Sequence, residues 1–443
     1  MKRVDVGICI GTTNITLTPF GEGLRGSASL PTPRLLTDES YSYCQDPWAI
    51  EAAVDTLLKL VEGEIASITV TGQVHGILYY DKEGRALSPL YTWLDQRGLE
   101  EVEGITTQQL LYNESGCHLP AGYGFLTHYA NRRMGKVPAG AVGFCGILEY
   151  ITGRLIGHPL KATDSSTLAT YGGWDVISEK YNPHLLDVVF GVSSPQFLTP
   201  AAPFSIAGYT KEGAAVAYPV GDNQAGFLGM VGNWREAALV NVGTSGQISF
   251  FSEGEEGHPS LELRPFFNEG YLHVGATLTA GKSYETLQKF VKEVLTLGGV
   301  DKSDKEIYRI LEEAASNIDE SPLIVDPRLT GSRLEALARG KVENITLDNL
   351  TLGNLVIATV DGIIKELLDF TFFEVEKIVA TGSAFIKNDL FTASLIKQSG
   401  KEVTVAHLDD GAGFGAALIG ALATQKLSLK DLKEIIDQAI IAD

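Results

Sequence analysis

Apolar positions along the chain follow two periods, and the change from one to the other marks out its elements. Residues 4–20 read as strand, tight turn and strand (VDVGICI, GTTN, ITLTPF), with β-branched and apolar residues flanking a small polar turn. Residues 238–251 repeat the design as ALVNV, GTSG and QISFF, about half the chain further on. A hairpin duplicated at that offset predicts two related domains, each opening its sheet the same way. Chance likeness of two short hairpins is the competing explanation. Residues 48–61 place Ile50, Val54, Leu57, Leu58 and Val61 on one helical face. SITVTG (67–72) reads as a buried strand, 77–93 as a hairpin of ILYYD and ALSPLYTW around Lys82-Glu83-Gly84, and 144–156 as an apolar helix. In the second half, 283–297, 305–316 and 354–373 are helical by period, and KIVATG (377–382) and EVTVAHL (402–408) are strands. Helices at 414–424 and 428–442 close the chain, the last capped by Ser428 with Asp431 in its first turn. The pattern predicts a mixed α/β protein of two domains, 1–232 and 233–443, with the boundary near Gly232–Arg235.

Composition narrows the function classes. The 443 residues carry a net charge of −20, which argues against polyanionic partners such as nucleic acid or an anionic membrane. With 20% charged and 44% hydrophobic residues the balance is globular, and no 18-residue apolar run predicts a membrane span. Met1-Lys2-Arg3 before Val4–Ile10 looks like the start of a signal peptide, but Asp5 interrupts the run and Gly11–Asn14 closes it, so a first strand is the better reading. The four cysteines (Cys9, Cys44, Cys117, Cys145) form no CxxC, and the eight histidines no HExxH. That suits a reducing compartment without structural zinc. A soluble cytoplasmic enzyme or binding protein is expected, with a homodimer left open. The 48 glycines follow no repeat and sit in short motifs, where tight turns and close backbone approaches are expected.

Those motifs hold the candidate chemistry. A turn rich in Gly, Thr and Ser aims backbone N–H groups and hydroxyls at one spot, a nest for phosphate oxygens. Gly11-Thr12-Thr13 and Gly243-Thr244-Ser245 both qualify, against the reading of plain hairpin turns. Asp222, in GDNQAG (221–226), stands at a strand-to-helix junction and reads as a general base or as a helix N-cap. TGQVHG (71–76) offers Gln73 and His75 as neutral hydrogen-bonding groups for a hydroxyl-rich ligand, or a structural histidine. YTWLDQR (91–97) has the composition of a sugar site and equally of a surface loop. Ala276–Ser283 (ATLTAGKS) departs from GxxxxGK[ST] only at its first glycine, and without a matching acidic strand a P-loop enzyme is the weaker reading. The helix start after Gly281 still offers N–H groups to a nucleotide. GAGFG (411–415) resembles a dinucleotide-binding loop, though close packing of a helix on a sheet explains it better.

In their order along the chain these motifs resemble those of the FGGY carbohydrate kinases, a branch of the actin-like ATPase superfamily. GTT (11–13) and NVGTSG (241–246) resemble the two phosphate loops, GQVHG (72–76) and WLDQR (93–97) the sugar loops, and GDNQAG the segment of the catalytic Asp. TAGKS (279–283), ATGSAFIKN (380–388) and GAGFGAAL (411–418) resemble the nucleotide-side segments. Three stretches, GYGFLT (122–127), PFFNEGYLHVGATLTAG (265–281) and LTLGNLVIATVDGIIKELL (350–368), are similar to the sedoheptulose-phosphorylating branch. Xylulose, ribulose and gluconate kinases share the core motifs.

The resemblance implies two ribonuclease H-like α/β domains, with the active site in the cleft between them, and ATP and Mg²⁺ bound there. It implies Asp222 as base and metal contact. Gln73, Val74, His75, Trp93, Asp95 and Asn223 would shape the sugar site. Gly11, Thr12, Thr13, Gly243, Thr244 and Ser245 would hold phosphates, and Gly281, Gly382, Ser383 and Asn388 would border the nucleotide. One position departs. The family carries Asp two residues before the first GTT, and this chain has Cys9, a poor ligand for a hard cation. Asp5, four residues upstream on the same strand, is too far away to replace it. A sugar- or nucleotide-binding protein with impaired catalysis is therefore the second expectation.

Overall fold

The computed structural model describes residues 3–21, 26–102, 104–191, 197–254, 259–332, 335–370 and 375–441. The ends of the helices expected over 354–373 and 428–442 lie partly outside them. The chain forms two compact units that interleave along the sequence. The first comprises residues 1–232, Arg264–Gly270 and Asp409–Ile436, and the second Asn233–Leu263, Tyr271–Leu408 and 437–443.

In the first unit the strand Arg3–Ile10 turns at Gly11 and returns antiparallel as Asn14–Phe20, from Asp5↔Phe20 to Ile10↔Ile15. On its other side it pairs parallel with Glu64–Gly72. The sheet runs Ile206–Tyr209, Ala215–Ala217, Glu64–Gly72, Arg3–Ile10, Asn14–Phe20, Ala28–Pro31, and Val220–Gly221 also pairs with the end of Glu64–Gly72. The near-continuous apolar reading of the first strand follows from helices on both faces. Val4, Val6, Ile8 and Ile10 belong to one core with Ile50, Val54 and Leu57 of the helix Pro47–Leu58 and Ile147 and Ile151 of the helix Ile147–Ile156. On the opposite face the helix Gly411–Ala423 lies so close that a Cβ on Gly7 would stand 1.8 Å from the Gly413 carbonyl oxygen. The glycines of GAGFG therefore serve packing, as expected.

The second unit builds its hairpin the same way. Ala237–Val242 and Gly246–Ser252 are antiparallel, and Ala237–Val242 pairs parallel with Lys377–Thr381. Both hairpins thus have the same third partner by position, a parallel strand beside the first arm. The sheet runs Glu262–Phe266, Gly270–Thr277, Gly246–Ser252, Ala237–Val242, Lys377–Thr381, Glu402–Val405. Helices Gly281–Leu297, Asp304–Ala315 and Leu352–Leu368 supply Leu287, Ile307, Leu311, Val360 and Ile364 to the core beneath it. Ser303 and Glu306 form a capping box that starts the second of these helices.

Two element expectations need correction. Residues 143–145 do not open the helix expected over 144–156. They form a strand with Leu78–Tyr80, because β-favouring Phe144 and Cys145 find an edge to pair with. The hairpin expected over 77–93 does form, with the bridges Ile77↔Tyr91 and Tyr80↔Ala86 and the bonds Leu87 N–H to Tyr79 O and Asp81 N–H to Arg85 O, and its arm Leu90–Tyr91 pairs further with Cys44–Gln45. The final helix starts at Leu432, and Ser428 bonds Asp431 in the turn before it. Among the described residues, no helix is long and apolar enough to cross a membrane.

His128, on the helix Gly124–Arg133, is buried against Phe144 and Phe190 with Nδ1 2.9 Å from the Tyr79 hydroxyl. Burial, assisted by Arg132, lowers its pKa to about 4. A histidine held neutral in the fold adds stability above its unfolded pKa and loses it as pH falls through 6.5 towards 4. By linkage that is about 2 kcal/mol lost by pH 5. We expect His128→Gln to flatten the fall in melting temperature between pH 7 and 5 relative to the wild type. Parallel curves would refute it.

Candidate active site

The first Gly-Thr turn is tied down on several sides within the first unit. Gly11 N–H donates to the Asn14 carbonyl at 2.8 Å and closes the turn. The Thr32 hydroxyl donates to the Gly11 carbonyl at 2.8 Å, and the Gln45 amide to the Thr12 carbonyl at 2.9 Å. Gln73 donates from Nε2 to Gln45 Oε1 at 2.7 Å, while its own buried Oε1 has no partner among the described residues. Trp93, 44% exposed, donates from its indole to the Thr12 hydroxyl at 3.0 Å. The structure thus gathers Gly11, Thr12, Gln73 and Trp93, with exposed Thr13 beside them.

His75 follows the end of Glu64–Gly72 in a left-handed conformation, φ 74°, a costly one for a non-glycine residue. Its ring stacks on Tyr123 with centroids 4.3 Å apart, and Nδ1 lies 2.9 Å from the Thr170 carbonyl oxygen. Val74 packs instead against the unit's core. Tyr123 lies in the stretch 122–127 but carried no assigned role, since a stacking partner distant in sequence leaves no local pattern. Asp95 departs from the expected sugar contact. It is 0% exposed, and its oxygens accept from Arg97 Nε at 2.7 Å and Nη2 at 2.9 Å. Oδ2 also accepts the Tyr43 N–H at 3.1 Å. Arg97 is 1% exposed, lies 3.8 Å over the Tyr91 ring and donates to Asn131. Asp95 therefore anchors the loop that presents Trp93, with no surface left for a ligand.

Asp222 is the first residue of the helix Asp222–Met230. The cap position belongs to Gly221, whose N–H donates to Ser166 Oγ at 3.0 Å, so the N-cap reading of Asp222 falls. Its half-buried carboxylate accepts from the Asn223 side chain at 2.9 Å. Burial raises its pKa, with the Arg264 charge and the Asn223 hydrogen bond opposing. Cys9 feels Asp222 and Asp410 nearby. Burial first, then these two acids, pushes the thiol well up, so it stays neutral. Asp410 accepts the Gly413 N–H and the Thr18 hydroxyl, both at 2.9 Å. Asp5 is committed elsewhere, to Ser67 Oγ and Lys426 Nζ, each at 2.7 Å. Among the described residues, no three His, Cys, Asp or Glu side chains converge on a metal position. Arg264 and Asp410 went unassigned because nothing near them in sequence marks their approach to Asp222 and Cys9.

In the second unit Thr244 and Ser245 are exposed at the tip of the repeated turn. Gly382, φ 97°, sits against it, since a Cβ there would stand 2.5 Å from both the Val242 carbonyl and Asn241 Oδ1. A groove of about 870 Å³ is lined by Gly281, Tyr284, Tyr308, Glu312, Ser383 and Asn388. Three of the expected nucleotide residues therefore share one wall. Tyr284 and Tyr308 stack at 5.9 Å, and Asn388 donates to the Tyr284 hydroxyl at 3.1 Å while its Oδ1 caps the next helix. The aromatic pair was missed, its members lying on separate helices. The helix Gly281–Leu297 does not offer its first N–H groups to a ligand. Gly281 N–H donates to the Gly243 carbonyl and Lys282 N–H to that of Thr244. Lys282 Nζ pairs with Glu285, so the P-loop reading falls with it.

Residues 39–223 match the FGGY family of carbohydrate kinases, N-terminal domain. The chain is 25% identical to the sedoheptulokinase of Mus musculus over 94% of this chain and 97% of that protein. It is 25% identical to the xylulose kinase of Staphylococcus xylosus over 95% and 91%. Among solved structures it resembles xylulose kinase from Rhodospirillum rubrum with TM-score 0.79, 18% identity and coverage of 99% and 97%. That likeness carries the fold, two α/β units. Residues 39–223 thus match the N-terminal domain of the FGGY family of carbohydrate kinases, and the chain is similar to sugar kinases over nearly its whole length.

Proposed function

We propose that the protein is an ATP-dependent ketose kinase that phosphorylates the terminal primary hydroxyl of sedoheptulose to give sedoheptulose 7-phosphate. Asp222 carries the reading: a half-buried carboxylate on the first residue of a helix, free of capping duty and oriented by Asn223. Such a group can accept a proton as the hydroxyl oxygen attacks. That oxygen forms the new bond to the γ-phosphorus in line, the bond to the β–γ bridging oxygen breaks, ADP leaves, and the proton ends on Asp222. His75, Trp93, Gln73 and Asn223 supply hydrogen bonds and an aromatic face to the sugar, as the composition of their loops supports. Thr12, Thr13 and the turn Gly243–Ser245 hold phosphates, and the tyrosine-lined groove of the second unit holds adenosine. Sedoheptulose is favoured over xylulose by the similarity to the Mus musculus sedoheptulokinase over 97% of that protein and by the stretches 122–127, 265–281 and 350–368. We assign the activity to the cytoplasm, where ATP is made and the four free cysteines stay reduced.

Mg²⁺ fits this site as an ion that arrives on ATP rather than as a resident one. Asp222 is the single hard ligand assigned to it, and the neutral Cys9 thiol is a poor one. When bound it would neutralise charge on the phosphate oxygens. The reading is tested by ADP release over a panel of sedoheptulose, xylulose, ribulose, gluconate and glycerol. The highest kcat/KM is expected with sedoheptulose, a different winner reassigns the sugar, and silence with every acceptor overturns the kinase.

Cys9 favours a second reading, a binding protein with impaired turnover. The two separate on one variant. If the wild type is a working kinase, Cys9→Asp is expected to lower the Mg²⁺ concentration for half-maximal rate and to raise kcat by less than about tenfold. A silent wild type rescued by Cys9→Asp would mark the natural chain as the impaired form.

A further inference from the structure

We infer that Thr32 and Gln45 are positioning residues of the first phosphate turn, holding its carbonyls so that the N–H groups of Thr12 and Thr13 stay aimed at an anion. The inference rests on the proposed kinase reading and adds to it two residues outside every motif. A peptide plane points its C=O and its N–H in opposite directions, so whatever grips the carbonyl also aims the next amide. Thr32 grips on both sides of the turn. Its hydroxyl donates to the Gly11 carbonyl at 2.8 Å and its N–H to the Thr13 carbonyl at 2.8 Å. Gln45 takes the carbonyl between, donating to Thr12 O at 2.9 Å. All three carbonyls of the turn are thereby committed. The amides that share peptide planes with the Gly11 and Thr12 carbonyls, those of Thr12 and Thr13, have no protein acceptor among the described residues. Two adjacent unspent N–H groups with fixed directions make an anion nest.

The grips themselves are rigid. Thr32 is buried and follows Ala28–Pro31, which is registered on the returning arm of the hairpin by Asn14↔Pro31. Gln45 is 0% exposed, lies on a strand paired with Leu90–Tyr91, and has its own oxygen fixed by the Gln73 amide at 2.7 Å. A donor preset in this way needs no reorientation as charge develops on phosphate, so its loss falls on kcat more than on sugar binding.

The test uses the full-length protein labelled with ¹⁵N-threonine and titrated with magnesium tripolyphosphate, a probe that needs no sugar. The Thr12 and Thr13 amide signals are expected to shift on titration. Thr32→Val keeps the side-chain shape without the hydroxyl, and Gln45→Glu keeps the acceptor for Gln73 without the donor to Thr12. Each is expected to weaken tripolyphosphate binding about tenfold, as loss of one hydrogen bond behind a charged contact implies. Thr32→Ser restores the hydroxyl and is expected to bind like the wild type. In sugar turnover the first two should lower kcat with little change in sugar KM. Unmoved Thr12 and Thr13 amides, wild-type binding by Thr32→Val and Gln45→Glu, or equal losses in Thr32→Ser and Thr32→Val would each overturn the inference. Shifts of those amides in a protein that phosphorylates no sugar would sink the kinase reading and leave the nest standing.

Discussion

Asp222→Asn is expected to reduce sugar phosphorylation about 10³-fold in kcat while ATP binding persists, because the substitution removes the proton acceptor and little else. Asparagine keeps the shape of the side chain, and its oxygen can still accept the Asn223 hydrogen bond now seen at 2.9 Å. Gly221 caps the helix through its backbone, and its bond to Ser166 does not involve the carboxylate, so Asp222–Met230 should start in the same place. The loss therefore belongs in kcat, with sugar KM changed little. Replacing a carboxylate that burial already disfavours by a neutral amide should also leave the fold as stable or slightly more so. Isothermal titration with ATP and a coupled ADP assay on the same preparation separate the outcomes. Turnover within about tenfold of the wild type would remove Asp222 from the role of base.

The parts of this architecture set by neighbours in sequence were legible before the structure. Both Gly-Thr hairpins, the helices beginning near Pro47, Gly281 and Asp304, and the small-residue helix after Asp410 announce themselves by period and composition. Elements defined by a distant partner did not. Gly143–Cys145 is a strand because Leu78–Tyr80 lies beside it, and nothing between residues 143 and 156 carries that information. The site divides the same way. Asp222, the glycines and the threonines stand in recognisable turns. Gln45 acts through a hydrogen bond spanning 33 positions, and Tyr284 acts together with Tyr308 on another helix. Asp95 marks the limit most clearly. A carboxylate beside Trp93 and Arg97 is the composition of a sugar site, and composition does not say which way a side chain turns.

Asp95→Ala is expected to cost about 3–5 kcal/mol, because it strands the Arg97 guanidinium in a site where only 1% of that side chain meets water. The Asn131 oxygen and the Tyr91 face remain, but neither cancels the charge. Loss of the Asp95 oxygens also frees the Tyr43 N–H and with it the loop that presents Trp93 to Thr12. Sugar KM should therefore rise together with the fall in melting temperature. Adding Arg97→Met to Asp95→Leu removes both charges and fills the space, and such replacements of buried pairs often recover stability. The double variant separates two roles for Asp95. As a buried anchor, its loss is repaired once the charge pair is gone and the loop packs again, so KM returns with stability. As a direct sugar contact, KM would stay high in a protein that melts like the wild type. The bidentate 2.7 and 2.9 Å geometry, with no exposed oxygen, supports the first outcome. In that outcome the loop that presents Trp93 owes its position to a buried salt bridge rather than to contact with a ligand.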